Sequence, residues 1–119
     1  VDESEIVITE GISDCVSLLD SFGAEYPVIG MPGAATVTRE LMTGLQGWRV
    51  IYVPDADEAG SKMAERIEAY NGLIDPVRVD VPPGYSDLTD WKKAVGDRVD
   101  FAECFELAII NALSERRAA

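Results

Sequence analysis

Four short apolar runs, each followed by a stretch of helical periodicity, constrain this chain more than any other feature. Residues 6–9 are a near-continuous apolar run, the mark of a strand buried on both faces. Cys15, Leu18, Leu19 and Phe22 then recur at i, i+3, i+4 and i+7, one face of a helix capped by Ser13 or Asp14 and ended by Gly23. Residues 27–30 make a second strand, which leads through the small-residue loop 31–35 to a helix marked by Val37, Leu41 and Leu45. Residues 49–53 make a third strand, and Ala59, Met63, Ile67 and Tyr70 stripe the helix after it. Pro76 opens a fourth, in which Val77, Val79 and Val81 alternate with Arg78 and Asp80 as an edge strand does. Leu88, Trp91 and Val95 mark a short helix. A last helix over residues 100–117 starts on a capping box, Asp100 and Glu103, and turns Phe101, Cys104, Phe105, Ala108, Ile109 and Ala112 inward. This alternation predicts an α/β fold, a doubly wound (Rossmann-like) four-stranded parallel sheet flanked by helices. In such sheets the functional crevice lies beyond the carboxyl ends of the strands.

Two of the predicted strands run into acids at that end. Residues 50–53 lead through Pro54 into Asp55 and Asp57, and residues 6–9 lead into Glu10. Alternate carboxylates at one strand end are costly to hold together as anions. A hard divalent cation with oxygen ligands relieves that cost most simply. The loop 30–35 and the turn before Asp87 fall at the same end, so the acids converge on one site.

The 119 residues are enough for one domain, over residues 1–119, with its own core. The chain starts at Val1 and not at Met, which is expected of a domain cut from a longer protein. A net charge of −12 repels nucleic-acid phosphates, so any dealings with nucleic acid require bound cations or basic neighbouring domains. Histidine is absent, which excludes His-based triads and zinc sites. Acid–base work therefore falls to carboxylates, lysine, tyrosine or metal-bound water. Cys15 and Cys104 are far apart, lie on apolar helical faces and are expected to be reduced core residues, in keeping with a cytoplasmic setting. No apolar run approaches the roughly 18–20 residues of a membrane span, and no signal-peptide pattern opens the chain.

Three segments carry a resemblance: Glu10-Gly-Ile-Ser-Asp14, Asp55-Ala-Asp57-Glu-Ala-Gly60, and Pro83-Gly-Tyr-Ser-Asp87-Leu-Thr-Asp90-Trp91. Over about residues 5–96 the chain resembles the TOPRIM domain of bacterial-type primases, topoisomerases and small nucleases, and within it the primase branch, including phage and plasmid primase-helicases. The resemblance implies that Glu10 is the general acid or base, or helps to hold a metal. It implies that Asp55, Asp57 and Asp87 bind Mg²⁺ or Mn²⁺. Asp14 matches the second acidic position of the first element, and Asp90 fits less well, because this last acidic pair is spaced differently from that of bacterial primases. The implied activity is nucleotidyl transfer, RNA primer synthesis on a DNA template. The implied partners are DNA and nucleotides, reached through flanking basic domains, with a helicase or other replication proteins and no membrane.

The alternatives are a Mg²⁺- or Mn²⁺-dependent TOPRIM nuclease cleaving phosphodiesters, a receiver-like regulatory domain and a TOPRIM-like module used only for interaction. Several of these residues also have plainer uses. Asp57 is placed to cap the third helix, Asp87 or Ser86 the fourth, and Asp14 its own. Gly11 and Gly60 are expected to permit close backbone approach, and Gly33 a turn or a phosphate contact. Lys62, Lys92 and Lys93 are candidates for phosphate contacts or ordinary solvated lysines. Trp91, at core spacing, is expected to be buried and not a base-stacking platform.

Overall fold

In the computed structural model, which describes residues 5–23 and 27–118, the β-branched runs at 6–9 and 50–53 become central strands buried on both faces. Residues 1–4, which belong to the stretch searched for a signal peptide, lie outside the described residues. The elements follow the order β1 (Glu5–Glu10), α1 (Ile12–Phe22), β2 (Val28–Met31), a 3-10 turn (Ala34–Thr36), α2 (Arg39–Gly44), β3 (Arg49–Val53), α3 (Glu58–Glu68), β4 (Asp75–Arg78), α4 (Leu88–Val95) and α5 (Arg98–Ala118). The strands form one parallel sheet, ordered β2-β1-β3-β4, with Val7 opposite Val28 on one side and Ile51 on the other. β4 is at an edge, as its alternating pattern predicts. The order reverses between β1 and β3, and a crevice opens at such a switch point beyond the strand ends.

Alternation within the strands divides the core into two layers. Val7, Ile51, Val53 and Val77 face Leu18 of α1, Leu88 and Trp91 of α4, and Phe101, Phe105 and Ile109 of α5. Ile6, Ile8, Val50 and Tyr52 face Met42 of α2 and Met63, Ala64 and Ile67 of α3. The first layer is aromatic. Trp91 meets Phe101 edge-on with centroids 5.1 Å apart, and Phe22 meets Phe105 in the same way at 5.9 Å. Such pairs add about 0.5–1.5 kcal/mol each beyond the area they bury. Trp91 is therefore a core residue, as its spacing predicts.

Several local expectations are corrected. The inner face of α1 is Asp14, Ser17 and Leu18, and Leu19 is exposed. The helix is turned so that two polar side chains reach Thr89 of α4, which no count of apolar residues registers. Cys104 is exposed and not a core residue; both cysteines are free. α5 starts earlier than Asp100, because Asp97 accepts the amide N–H groups of Val99 and Asp100. The second helix is split. Thr38 caps a short α2 by accepting the Leu41 N–H, so Val37 lies before it and Leu45 after. β4 stops at Arg78, yet Val79 and Val81 stay buried beyond it. Among the described residues no helix is long and apolar enough to cross a membrane.

Candidate metal centre

Glu10 ends β1, and Gly11 turns the chain into α1 with φ of +84°, a conformation that L side chains rarely adopt. That requirement, and not close approach, accounts for Gly11, since a Cβ there would meet nothing within 4 Å. Glu10 Oε2 accepts the backbone N–H of Asp55 at 3.3 Å across the switch point, which ties the end of β1 to the loop after β3. Gly60 does serve close approach. A Cβ on it would sit 2.0 Å from the Asp55 carbonyl oxygen, so only glycine lets the first turn of α3 pack on that loop. On its other side the loop is clasped by Ala56 N–H donating to Ser86 C=O at 2.8 Å, which brings the segment before α4 beside Asp55.

Asp14 projects from the first turn of α1 and is 1% exposed. Its Oδ1 accepts both the Thr89 hydroxyl, at 2.6 Å, and the Thr89 backbone N–H, at 3.1 Å. Ser17 extends this link through its own hydroxyl, 3.1 Å from that of Thr89. Asp87 caps α4, its Oδ1 accepting Asp90 N–H at 2.8 Å. One carboxylate oxygen from each of Asp14, Asp55 and Asp87 lies within 4.8 Å of the other two. Asp14, Asp55 and Asp87 would together offer a divalent cation three carboxylate oxygens, the hard ligands that Mg²⁺ or Mn²⁺ takes. Two oxygens in this group, Asp14 Oδ2 and Asp55 Oδ1, are buried without a hydrogen-bond donor among the described residues. Buried anionic oxygens without a partner are costly. A proton shared between the two carboxyls, or a cation, resolves that cost.

The electrostatics follow from this crowding. Burial, and then the charges of Glu10 and Asp14, push the Asp55 carboxyl up to about 8. Burial raises Asp14 too, against the hydrogen bond from Thr89 and with the Asp87 charge adding to the rise. Burial is also the main cause that raises Glu10. The Asp55 N–H opposes it, and the charges of Asp57 and Asp14 reinforce it. The site is thus an all-oxygen pocket that a divalent cation fits by ligand chemistry.

The remaining predicted residues lie around this group. Asp57 is exposed and caps α3, its Oδ1 accepting Gly60 N–H at 2.7 Å, and it stands outside the trio of Asp14, Asp55 and Asp87. Asp90 accepts a short hydrogen bond from the Ser86 hydroxyl and is exposed. Lys62 pairs with Glu58 one turn earlier on α3. Lys92 is a strut between helices, bonding the Ser17 carbonyl at 2.9 Å and Asp20 at 2.6 Å. Gly33 belongs to a turn, its carbonyl accepting Thr36 N–H at 3.1 Å. Thr89 escaped the sequence reading. Its position two residues after Asp87 is the one local signal, and its partner is 75 residues away.

Comparison with known proteins agrees with this architecture. A solved structure described as a small TOPRIM domain protein from Bacillus stearothermophilus superposes with a TM-score of 0.60, covering 76% of this chain and 76% of that one, at 22% identity. No curated protein matches the chain. The sequence profile of the Toprim-like family matches residues 7–93, a span that includes Glu10, Asp14, Asp55, Asp57 and Asp87. TOPRIM domains bind divalent metals through acidic residues, which is the ligand type gathered here. By that match over most of its length, the chain belongs to the Toprim-like family.

Proposed function

We propose that this domain is the metal-dependent catalytic site of a primase-like protein, joining ribonucleotides on a DNA template. The observation that carries the reading is the convergence of Asp14, Asp55 and Asp87 at the switch point, with two of their oxygens buried and lacking donors among the described residues. Asp14, Asp55 and Asp87 would hold Mg²⁺ or Mn²⁺, and Asp57 lies close enough to add its charge to Glu10. A divalent cation bound there supplies neutralisation of phosphate oxygens and alignment of the reacting groups. Glu10, whose carboxyl is raised above the ordinary range by burial and by its acidic neighbours, would take the proton from the attacking sugar hydroxyl. Its carboxylate is held for that task by the Asp55 N–H. The primase assignment, as against the nuclease, is supported by the resemblance in the three segments around Glu10–Asp14, Asp55–Gly60 and Asp87–Trp91.

The test is incubation with single-stranded DNA, ribonucleotides and Mn²⁺, alongside supercoiled plasmid. The reading predicts slow Mn²⁺-dependent joining of ribonucleotides, abolished by Glu10→Gln, with the plasmid intact. Plasmid nicking that Glu10→Gln abolishes, without synthesis, contradicts it in favour of the nuclease. Absence of both products contradicts catalysis by this domain without flanking domains.

A further inference from the structure

A pocket of about 280 Å³ borders Asp55 of the acidic trio and is lined also by Asp57, Ser61, Arg78 and Asp80. Arg78 is the one cation among its lining residues. Arg78 and Asp80 also line a larger cleft of about 610 Å³, which runs past Tyr52 and Asn71 to Arg116 on α5. Arg78 therefore stands at the junction of the two spaces. The larger has a volume suited to a nucleoside-sized group, and its lining mixes apolar surface from Pro76 and Ala112 with polar groups.

The chemistry of Arg78 is that of an anion binder held ready. Its Nε donates to Asp80 Oδ1 at 2.7 Å, which fixes the plane of the guanidinium. Among the described residues, its two Nη groups donate to no partner. A guanidinium offers paired donors that match two oxygens of a phosphate. Ser61 adds a hydroxyl-bearing side chain to the same lining. Three carboxylates against one guanidinium leave the pocket net negative, so an anion enters only together with a cation.

We infer that Arg78 is a phosphate-binding residue of this site. It holds a phosphate of the nucleic-acid strand or nucleotide beside the cation-loaded carboxylates, with the attached nucleoside lying in the larger cleft. The inference rests on the metal-dependent reading given above and assigns it a substrate contact.

The test measures binding in the presence and absence of Mn²⁺ by fluorescence anisotropy, with labelled dT10 as the strand and unlabelled dTTP as competitor. Mn²⁺ uptake is followed separately by titration calorimetry. The wild type should bind only with Mn²⁺. Arg78→Gln should weaken binding about 10- to 100-fold, as loss of a charge-assisted contact does, with Mn²⁺ uptake unchanged. On dT10 it should also lower the slope of log affinity against log salt by about 0.7, as loss of one single-strand phosphate contact does. Asp80→Asn breaks the same Arg78–Asp80 pair but removes an anion, so it should preserve or tighten binding. Competition by dTTP with an equal Arg78 dependence would identify a free nucleotide as the source of the phosphate, and its absence the strand. Equal affinity of wild type and Arg78→Gln for both probes overturns the inference, and so does equal weakening by Arg78→Gln and Asp80→Asn. Mn²⁺ uptake with no binding of either probe overturns the phosphate site but spares the metal centre. Failure of the wild type to take up Mn²⁺ overturns both.

Discussion

The face of the sheet under α1, α4 and α5 holds a cluster of packed rings and delivers Asp14 and Asp87, while the face under α2 and α3 is mostly aliphatic around the buried Tyr52 and delivers Asp57 and Gly60. On the first face Asp87 caps its own helix, but Asp14 is held by a contact between distant segments. Thr89 fixes Asp14 across 75 residues of chain, and Lys92 reaches back to Asp20 and the Ser17 carbonyl. On the second, Asp57 is held by its own helix through the cap at Gly60 N–H. Local geometry places one carboxylate at the surface, whereas tertiary packing buries another at 1% exposure. A buried, unpaired anion demands compensation and an exposed cap does not, so the strain that favours a cation arises on the aromatic side.

That asymmetry is open to direct attack. The largest effect should come from Phe105→Ala, which removes a fully buried ring touching Phe22, Trp91 and Phe101. It should cost about 3–5 kcal/mol in urea unfolding, and the surviving folded protein should bind Mn²⁺ more weakly, because α1 and α4 lose their common support. Met63→Ala on the other face should destabilise comparably but leave Mn²⁺ affinity nearer the wild type. Equal loss of affinity in both variants would erase the distinction.

Thr89→Val keeps shape but removes the hydroxyl that donates to Asp14. It should lower stability by about 1–3 kcal/mol and Mn²⁺ affinity about 10- to 100-fold, as loss of an orienting contact behind a ligand does. An unchanged affinity would show that Asp14 needs no such support.

The smallest effect concerns pH. Burial and neighbouring charge raise Asp55 in the folded state, so the fold binds more protons than the unfolded chain between the ordinary carboxylate range and about pH 8. Stability from this group is fully present at low pH and is lost as pH rises through that window. The metal-free protein should therefore weaken from about pH 4 toward pH 8 through this group. Asp55→Asn should remove that fall; with solvent screening and the proton shared with Asp14 leaving only part of it, Tm at pH 8 should rise by about 4–8 °C, equivalent to about 1 kcal/mol. A lower Tm for Asp55→Asn in metal-free buffer would contradict the electrostatic account.

Much of this was legible in the residues themselves. The strand runs at 6–9 and 49–53, Glu10 at the end of one and Asp55 beyond the other, lead directly to a parallel sheet with acids at its switch point. Periodicity went astray where a polar residue was buried. Cys15, Leu18, Leu19 and Phe22 form an apolar stripe on paper, yet α1 turns Asp14 and Ser17 inward because Thr89 offers them hydrogen bonds. Nothing within a few residues of Asp14 reveals that partner. Capping at the start of α5 fell to Asp97, since a carboxylate three residues before Asp100 can take two N–H groups at once. The capping use of Asp57 was legible from its place before the third helix, whereas the gathering of Asp14 with Asp55 and Asp87 depends on how α1 and α4 pack.

The central claim is that Asp14, Asp55 and Asp87 together hold one divalent cation, and titration calorimetry with Mn²⁺ tests it most directly. Wild-type protein should bind Mn²⁺ with a heat that Asp14→Asn and Asp55→Asn each largely abolish, both variants remaining folded by circular dichroism. Equal heats from the wild type and both variants would contradict the account.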